Sequence, residues 1–411
     1  MPDVSFTNLL VVAAVAVLAP LTVGFAPRLR VPAVVLEIIG GIIIGPSGFG
    51  WVRVDLPVQI LALFGLAFLL FLAGLEIDVH QLRGRLLRFA VLGYLVTLVL
   101  GYGAGASFAA VGWVSEPLLL AITLSATSLG LVVPVLKDAG QVHSEVGQTA
   151  LAAASIADFA AIVLLSLFFS SSSGSAGTRV VVLGVFAGLV AVTGIAVSGA
   201  ARSRRLGQVL VRLQDTTAEI RIRFAVLLLV TFTVLAERFG LESILGAFLA
   251  GAIVGLVDRD SSSSHPNFRT KLDAIGYGFL VPVFFVSSGI RLDLTGLLHS
   301  PSALARVPLF LLALLAVRGL PALLGLRANG TRPTVAVGLL QATSLPFIVT
   351  ATQIGVALDK LSSVIAAALV CAGLLSVLIF PLIALGLLRR DEPGPAAVPA
   401  ATQPAPEPHL M

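Results

Sequence analysis

Charge is the scarcest ingredient of this 411-residue chain, at 11% Asp, Glu, Lys and Arg against about 25% in an average soluble domain. With 57% apolar residues, most of its surface suits lipid rather than water. Cysteine is nearly absent. Cys371 stands alone inside an apolar run, which excludes an intramolecular disulfide and a cysteine-rich metal site. The five histidines, His80, His143, His265, His299 and His409, fall between apolar runs or in the tail, so a zinc cluster is not expected. No P-loop, dinucleotide fingerprint, His-Glu-x-x-His motif or nucleophile elbow occurs, and neither enzymatic chemistry nor a cofactor is expected.

Long apolar runs are abundant. A membrane-crossing helix needs roughly 20 apolar residues, and runs of that kind centre near residues 16, 38, 66, 98, 125, 159, 189, 229, 249, 280, 314, 343 and 374. The first has no basic residue before it and no small-residue cleavage site, so it reads as a retained span. The net charge of +5 is a matter of topology. With thirteen spans and the N-terminus outside, cytoplasmic segments receive 19 of the 26 Lys and Arg residues, the opposite face receives 6, and Arg318 lies within a span. That asymmetry is the positive-inside pattern, and it removes the reason to invoke nucleic acid. The C-terminus is then cytoplasmic, and the Pro/Ala-rich segment 389–411 reads as a disordered cytoplasmic tail.

The tetrapeptide Ala-Thr-Ser-Leu occurs twice, at 126–129 and 342–345. Two further pairs keep nearly the same offset and order. Gly41 and Gly45 answer Gly251 and Gly255, and Gly74 and Asp78 answer Gly289 and Asp293. The chain therefore divides into six spans, a linker span and six spans, and an odd number of crossings between corresponding spans inverts the second half. Inverted repeats of this kind are an architecture of secondary transporters, with the ion site near the midplane. Each Ala-Thr-Ser, followed by Gly130 and Pro134 or by Pro346, marks an interrupted helix. Thr127, Ser128, Thr343 and Ser344 can satisfy the backbone groups such a break frees. The alternative is that these small residues only let helices pack closely.

Ionisable groups inside a span cost about 2.5–3.5 kcal/mol even on a lenient scale. Asp158, within "ALAAASIADFAAIVLLSLFF" (150–169), is the clearest. Ser155 precedes it by three residues on the same helical face. A carboxyl group withdrawn from water holds a proton more tightly, and a nearby cation or helix N-terminus loosens it. Such a group can exchange H+ for a metal cation, or it can pair permanently with Arg318, the only other charge deep in a span. Arg318 itself cannot give up its proton. It either neutralises Asp158 or caps half-helix C-terminal ends. Glu37 is a packing or ion-path group, whereas Glu76, Asp78, Glu237, Arg238, Glu242, Arg291 and Asp293 lie at span ends in contact with water. The glycines of "GYGAGAS" (101–107) mark tight helix packing.

Read in order, "VVLEIIGGIIIGPSGFG", "LLFLAGLEID", "LSATSLGLVVPVLKDAG", "IADFAAIVLL", "GLESILGAFLAGAIVG" and "VPVFFVSSGIRLDL" resemble successive signatures of the monovalent cation:proton antiporters. The branch is the one with bacterial sodium/proton antiporters and glutathione-gated potassium-efflux antiporters, and the likeness runs from about residue 7 to 388. It implies an all-α polytopic membrane protein of about 13 helices, two of them crossed and discontinuous. Residues 1–388 would form one sodium/hydrogen exchanger-type domain. Its dimerisation scaffold would span about 7–80 and 219–295, its mobile core about 87–169 and 301–388, and its linker helix about 179–199.

By position, Asp158 matches the family's ion- and proton-binding aspartate. Thr127 and Ser128 match the unwound segment beside it, Thr343 and Ser344 its partner, and Arg318 the basic position of the core. The implied function is secondary active exchange of Na+ or K+ for H+ by a homodimer in a bacterial inner membrane, by alternating access. A gated potassium-efflux pathway on the same scaffold is the alternative. Where the family often carries a second polar residue before the aspartate, this chain has Ala157. One acid holds either one proton or one cation, so electroneutral exchange is expected. The sequence also lacks the nucleotide-binding domain of the potassium-efflux members, so gating by that route is not expected.

Overall fold

The computed structural model describes residues 6–25, 32–76, 84–138, 140–142, 144–169, 176–201, 219–260, 266–326 and 330–388. Asp78, four of the five histidines and the tail 389–411 lie outside them. Among the described residues every regular element is helical. The order is α1 (Thr7–Phe25), α2 (Ala33–Ile44), α3 (Leu56–Glu76), α4 (Gly84–Ala110), α5 (Pro117–Ser125), α6 (Leu129–Asp138), α7 (Glu145–Phe169) and α8 (Ala176–Ala201). It continues through α9 (Ile220–Arg238), α10 (Ser243–Asp260) and α11 (Pro266–Ile275), which a π-helical turn, Gly276–Leu280, joins to α12 (Val281–Ile290). After α13 (Leu294–Leu298) come α14 (Pro301–Gly319) with a 3₁₀ turn at Leu320–Gly325, α15 (Thr331–Gln341), α16 (Pro346–Ala357) and α17 (Ser363–Leu388).

Seven segments among the described residues are long and apolar enough to cross a membrane, and four shorter apolar helices accompany them. The outer surface carries exposed large apolar side chains such as Val99, Ile195 and Leu312. Such side chains are unfavourable against water and neutral against acyl chains. The segment Thr331–Ala357 is the opposite case, most of it buried within the bundle. Surrounded by protein, it is where an irregular backbone can find partners inside a bilayer.

Both Ala-Thr-Ser segments interrupt their helices. α5 stops at Ser125, Ala126 is extended (φ −80°, ψ 156°), and α6 begins at Leu129. α15 stops at Gln341, and α16 restarts at Pro346, a residue suited to the first turn because its missing N–H would have had no helical partner.

The glycines paired in sequence occupy equivalent places in two close helix crossings. α2 packs on α12 with Gly41 against Gly289, so that a side chain on either would meet the Val286 or Ile38 carbonyl. α10 packs on α3 in the same way, Gly251 against the Phe71 carbonyl and Gly74 against the Phe248 carbonyl. Backbones this close need a residue without Cβ. In "GYGAGAS", Gly101 and Gly105 pack on α5 while Gly103 faces open space. Gly289→Ala is therefore expected to destabilise by at least the roughly 1–3 kcal/mol of overpacking, and Gly103→Ala to leave stability unchanged. Thermal unfolding of detergent-purified protein measures both. Equal melting temperatures for the two variants would contradict the close crossing.

Candidate ion-binding site

The two interrupted segments cross and satisfy one another. Ser128 N–H donates to the Thr343 carbonyl at 2.9 Å, and the Thr127 hydroxyl donates to the Gln341 carbonyl at 2.7 Å. Thr343 returns its hydroxyl to the Leu339 carbonyl of its own helix at 3.1 Å. The Ser344 hydroxyl does not take part in this exchange: it is buried with no hydrogen-bond partner. Its backbone is held instead by Ser376 of α17, whose Oγ accepts from Ser344 N–H at 3.2 Å and lies 3.1 Å from the Ser344 carbonyl.

Asp158 of α7 sits where α6 begins. Leu129 N–H, the first of that half-helix, donates to Asp158 Oδ2 at 3.2 Å. The partial positive charge of a helix N-terminus favours an anion there. Asp158 lines a cavity of about 60 Å³ together with Thr127, Ser128 and Gly130, and with Pro346 and Phe347 at the start of α16. A polar cavity needs only about 10–15 Å³ of such space to hold a water, so this one admits a small cation with water beside it. Ser155, one turn earlier on α7, is buried but does not line the cavity.

Arg318 is 1% exposed and makes no ion pair with Asp158. Its Nε donates to the Thr127 hydroxyl at 2.9 Å, Nη2 reaches the same oxygen, and Nη1 donates to the Thr97 hydroxyl of α4 at 3.2 Å. Thr127 thus relays the guanidinium to the carbonyl end of α15, where partial negative charge gathers. The permanent Asp158–Arg318 pair, one of the two sequence-based alternatives, is not formed. Nor does Arg318 cap the half-helix carbonyls directly.

Two acidic groups, Glu76 and Glu242, differ from expectation, whereas Asp293 and Glu37 keep the places expected of them. Glu76 was expected in water, but its Oε2 is buried and its carboxyl lies within electrostatic reach of Asp158 and Asp273. The reason is that α3 packs closely on α10 through Gly74 and Leu75 up to its last turn. Glu242 lies half-buried before α10, and burial followed by the nearby Glu237 carboxylate pushes its carboxyl up to about 6. Asp293 caps α13, accepting from Gly296 N–H at 2.8 Å and from the Ser363 hydroxyl at 3.1 Å. Glu37 is buried in α2 with Oε2 unpartnered and does not reach the Asp158 cavity, which Val34 lines one turn earlier.

A second cavity of about 230 Å³ lies further along the same helices, lined by Ser288, Arg291, Asp293, Thr352, Gln353 and Ser363 among others. On α12 the first cavity ends at Phe285 and the second begins at Ser288; on α16 they meet between Phe347 and Val349. At 1.5 Å rise per residue, the wall between them is about 3–4.5 Å thick, less than one helical turn, and both phenylalanines border it. Gln353 Nε2 donates to Ser288 Oγ at 3.0 Å across the second cavity. A larger concavity, about 710 Å³ among α7, α8 and α10, has an apolar lining without a titratable group, and so offers no chemistry. Among the described residues no cluster of His, Cys, Asp and Glu could hold a resident metal ion.

Sequence reasoning missed Gln341, Ser376 and Tyr277, which touch the crossing or its cavity, and Thr97, which accepts from Arg318. A lone hydroxyl in an otherwise apolar span, such as Ser376 in the middle of α17, was the available signal.

A family profile described as "Sodium/hydrogen exchanger, transmembrane" matches residues 13–389. The putative Na(+)/H(+) antiporter YjbQ of Bacillus subtilis is 32% identical over 95% of this chain, which spans 64% of that relative's length. The Na(+)/H(+)-K(+) antiporter GerN of Bacillus cereus is 28% identical over 66% of this chain and 68% of its own. Among solved structures, the sodium proton antiporter MjNhaP1 of Methanocaldococcus jannaschii at pH 8 aligns with a TM-score of 0.64 at 19% identity, covering 94% of this chain and 98% of that one. It shares the fold. The spans and these matches together make the protein an integral membrane protein, and the chain belongs to the sodium/hydrogen exchanger family.

Proposed function

We propose that this protein is a secondary antiporter that exchanges Na+ or K+ for H+ by alternating access, with Asp158 as the seat the two ions share. The observation that carries the reading is the carboxylate itself. It is placed at a half-helix N-terminus in a small cavity with polar groups on one wall, and less than one helical turn of wall separates that cavity from another. Ser128 and the Thr127 backbone carbonyl complete the coordination, since the Thr127 hydroxyl is taken up by Arg318 and Gln341, with Ser155 a turn away on α7. The relatives' names supply the cation class: the Bacillus subtilis protein is described for Na+, and GerN for Na+ and K+.

The mechanism follows from the two walls of the seam. In this reading thirteen spans cross the membrane, six on each side of the linker helix α8, with the second half inverted. The paired glycine crossings, α2 on α12 and α10 on α3, support it because they relate equivalent helices of the two halves. The scaffold, about 7–80 and 219–295, also joins two copies into a homodimer. The core, about 87–169 and 301–388, carries the crossed breaks and Asp158. Sliding of core past scaffold carries Asp158 and Phe347 past Phe285 and opens the carboxylate toward one face of the membrane or the other. Thr343 and Ser344 hold the second break through their backbones, and Arg318 holds Thr127. The N-terminus lies outside and the C-terminus in the cytoplasm of a bacterial cell. Glu76, buried near the Asp158 cavity, adds negative potential on the cation's approach.

Because Ala157 supplies no second acid beside Asp158, the exchange is one for one. Proteoliposomes containing the purified protein are expected to release protons when Na+, K+ or Li+ is added on the opposite side. Under the same conditions they are expected to carry no transport current. Cation flux that persists without any proton gradient and drives no proton movement would favour the gated pathway. A steady current coupled to exchange would remove the one-for-one stoichiometry.

A further inference from the structure

The Asp158 cavity has two unequal walls. One, from the α5–α6 break and α7, offers Thr127, Ser128 and Asp158; the other, from α2, α3 and α12, is apolar at Val34, Leu70 and Phe285. Tyr277 is the one lining side chain with a polar atom on that second wall. It rides on the π-helical turn Gly276–Leu280, and the local sequence "GYGFLVP" accounts for the turn. Pro282 has no N–H to return to the Gly278 carbonyl four residues earlier, and its ring crowds that carbonyl. The two glycines that flank Tyr277 weaken the α-helical preference further. Val281 N–H reaches back five residues to the Gly276 carbonyl instead. Isolated π turns within α-helices occur frequently at functional sites.

The phenol reaches the opposite wall. A Cβ placed on Gly130, in the first turn of α6, would lie 3.3 Å from Tyr277 Oη. The same oxygen lies within electrostatic reach of the acidic side chains Glu76 and Asp273, and Arg269 acts on both of those. A cation moving past this point toward Asp158 leaves water beside an apolar wall that offers it a single side-chain oxygen.

We propose that Tyr277 is a specificity-determining residue for cation access: its hydroxyl serves as a transient ligand to the dehydrating alkali cation, and its contact with Gly130 sets the width of the mouth. The proposal rests on the antiport reading of Asp158. It adds a residue from the opposite wall and a control that acts from one side of the membrane only.

The test is cation-dependent proton flux in vesicles of both orientations. Tyr277→Phe is expected to raise the apparent KM for Na+ or K+ at this mouth by roughly three- to tenfold, the range of a single lost polar contact. Its kcat should stay within about twofold, and its KM from the other side should be unchanged. Gly130→Ala, whose new methyl presses on the phenol oxygen, is expected to slow turnover. The double variant recovers that turnover because the crowded atom is gone, a coupling that independent sites do not show. Tyr277→Trp, which fills the mouth and offers an N–H in place of the oxygen, is expected to raise KM as well. Wild-type KM on both sides in Tyr277→Phe or Tyr277→Trp would overturn the proposal, as would a Gly130→Ala defect that persists in the double variant. Those outcomes leave the antiport reading standing if the wild type exchanges ions; a wild type that moves no protons with any alkali cation overturns both.

Discussion

Asp158→Asn is expected to reduce cation-coupled proton movement to the background of empty vesicles while the protein stays folded. The two halves of that expectation have separate causes. An amide is neutral throughout the working pH range, so it neither releases a proton to an arriving cation nor presents it with a full charge. The Asn oxygen still accepts from Leu129 N–H, the bond that ties α7 to the start of α6 at 3.2 Å. Volume is unchanged, so the 60 Å³ cavity keeps its shape. Removing an ionisable group from the membrane interior also relieves a burial cost of about 2.5–3.5 kcal/mol on the lenient scale. The melting temperature in detergent is therefore expected to be equal or higher, the reverse of a misfolded variant. Retained exchange in Asp158→Asn would remove the assignment of the shared site.

The second large effect belongs to Arg318, and it is one of stability. The side chain is fully buried and gives its donors to Thr127 and Thr97. Burying a guanidinium is costly in itself, so the sign of its removal must be argued. What remains behind decides it. Without Arg318 the Thr127 hydroxyl and the carbonyl ends of α5 and α15 keep their partial negative charge with no cation beside them. A hydrogen bond to a charged group contributes about 1.5–3 kcal/mol, and the vacated volume adds a cavity cost. Arg318→Ala is expected to destabilise by about 2–5 kcal/mol, the range of large-to-alanine changes at a buried position. Arg318→Met, which fills the space without charge, should fall between Ala and Lys. Lys keeps the charge, but its single ammonium cannot fork between two hydroxyls on different helices, so it too melts below the wild type. Scanning fluorimetry of the four proteins gives the order. A Met variant as stable as the wild type would show that Arg318 only fills volume.

Much of the architecture was legible because the membrane restricts what a sequence can do. Any charge deep in a span is conspicuous, so Asp158 and Arg318 stood out without a structure. The breaks were legible through a repeated tetrapeptide with a proline after it, and they fall at 126–128 and 342–345. The glycine pairs 41/251, 45/255 and 74/289 were legible as an echo, though not as contacts. Partnerships were not legible. Arg318 meets Thr127 and Thr97 across 191 and 221 residues, and no periodicity in either segment encodes which hydroxyl the guanidinium selects. Glu76 reads as a span end and turns out buried, because the packing of α10 over α3 is set by Gly74 and Gly251 on different helices. Tyr277 lay in a stretch that reads as an ordinary apolar helix. Its place at the cavity follows from a π turn that needs both the proline and the glycines to be considered together.

Asp158 is proposed to hold a proton or an alkali cation, never both, and proton counting tests this directly. Calorimetric titration of the purified protein with Na+ and K+, repeated in buffers of different ionisation enthalpy, counts protons released per cation bound. The expected result is about one proton per cation for the wild type, since metal binding displaces the proton from its ligand, and no saturable binding in Asp158→Asn. Saturable cation binding without proton release, or equal binding in the Asn variant, would contradict it.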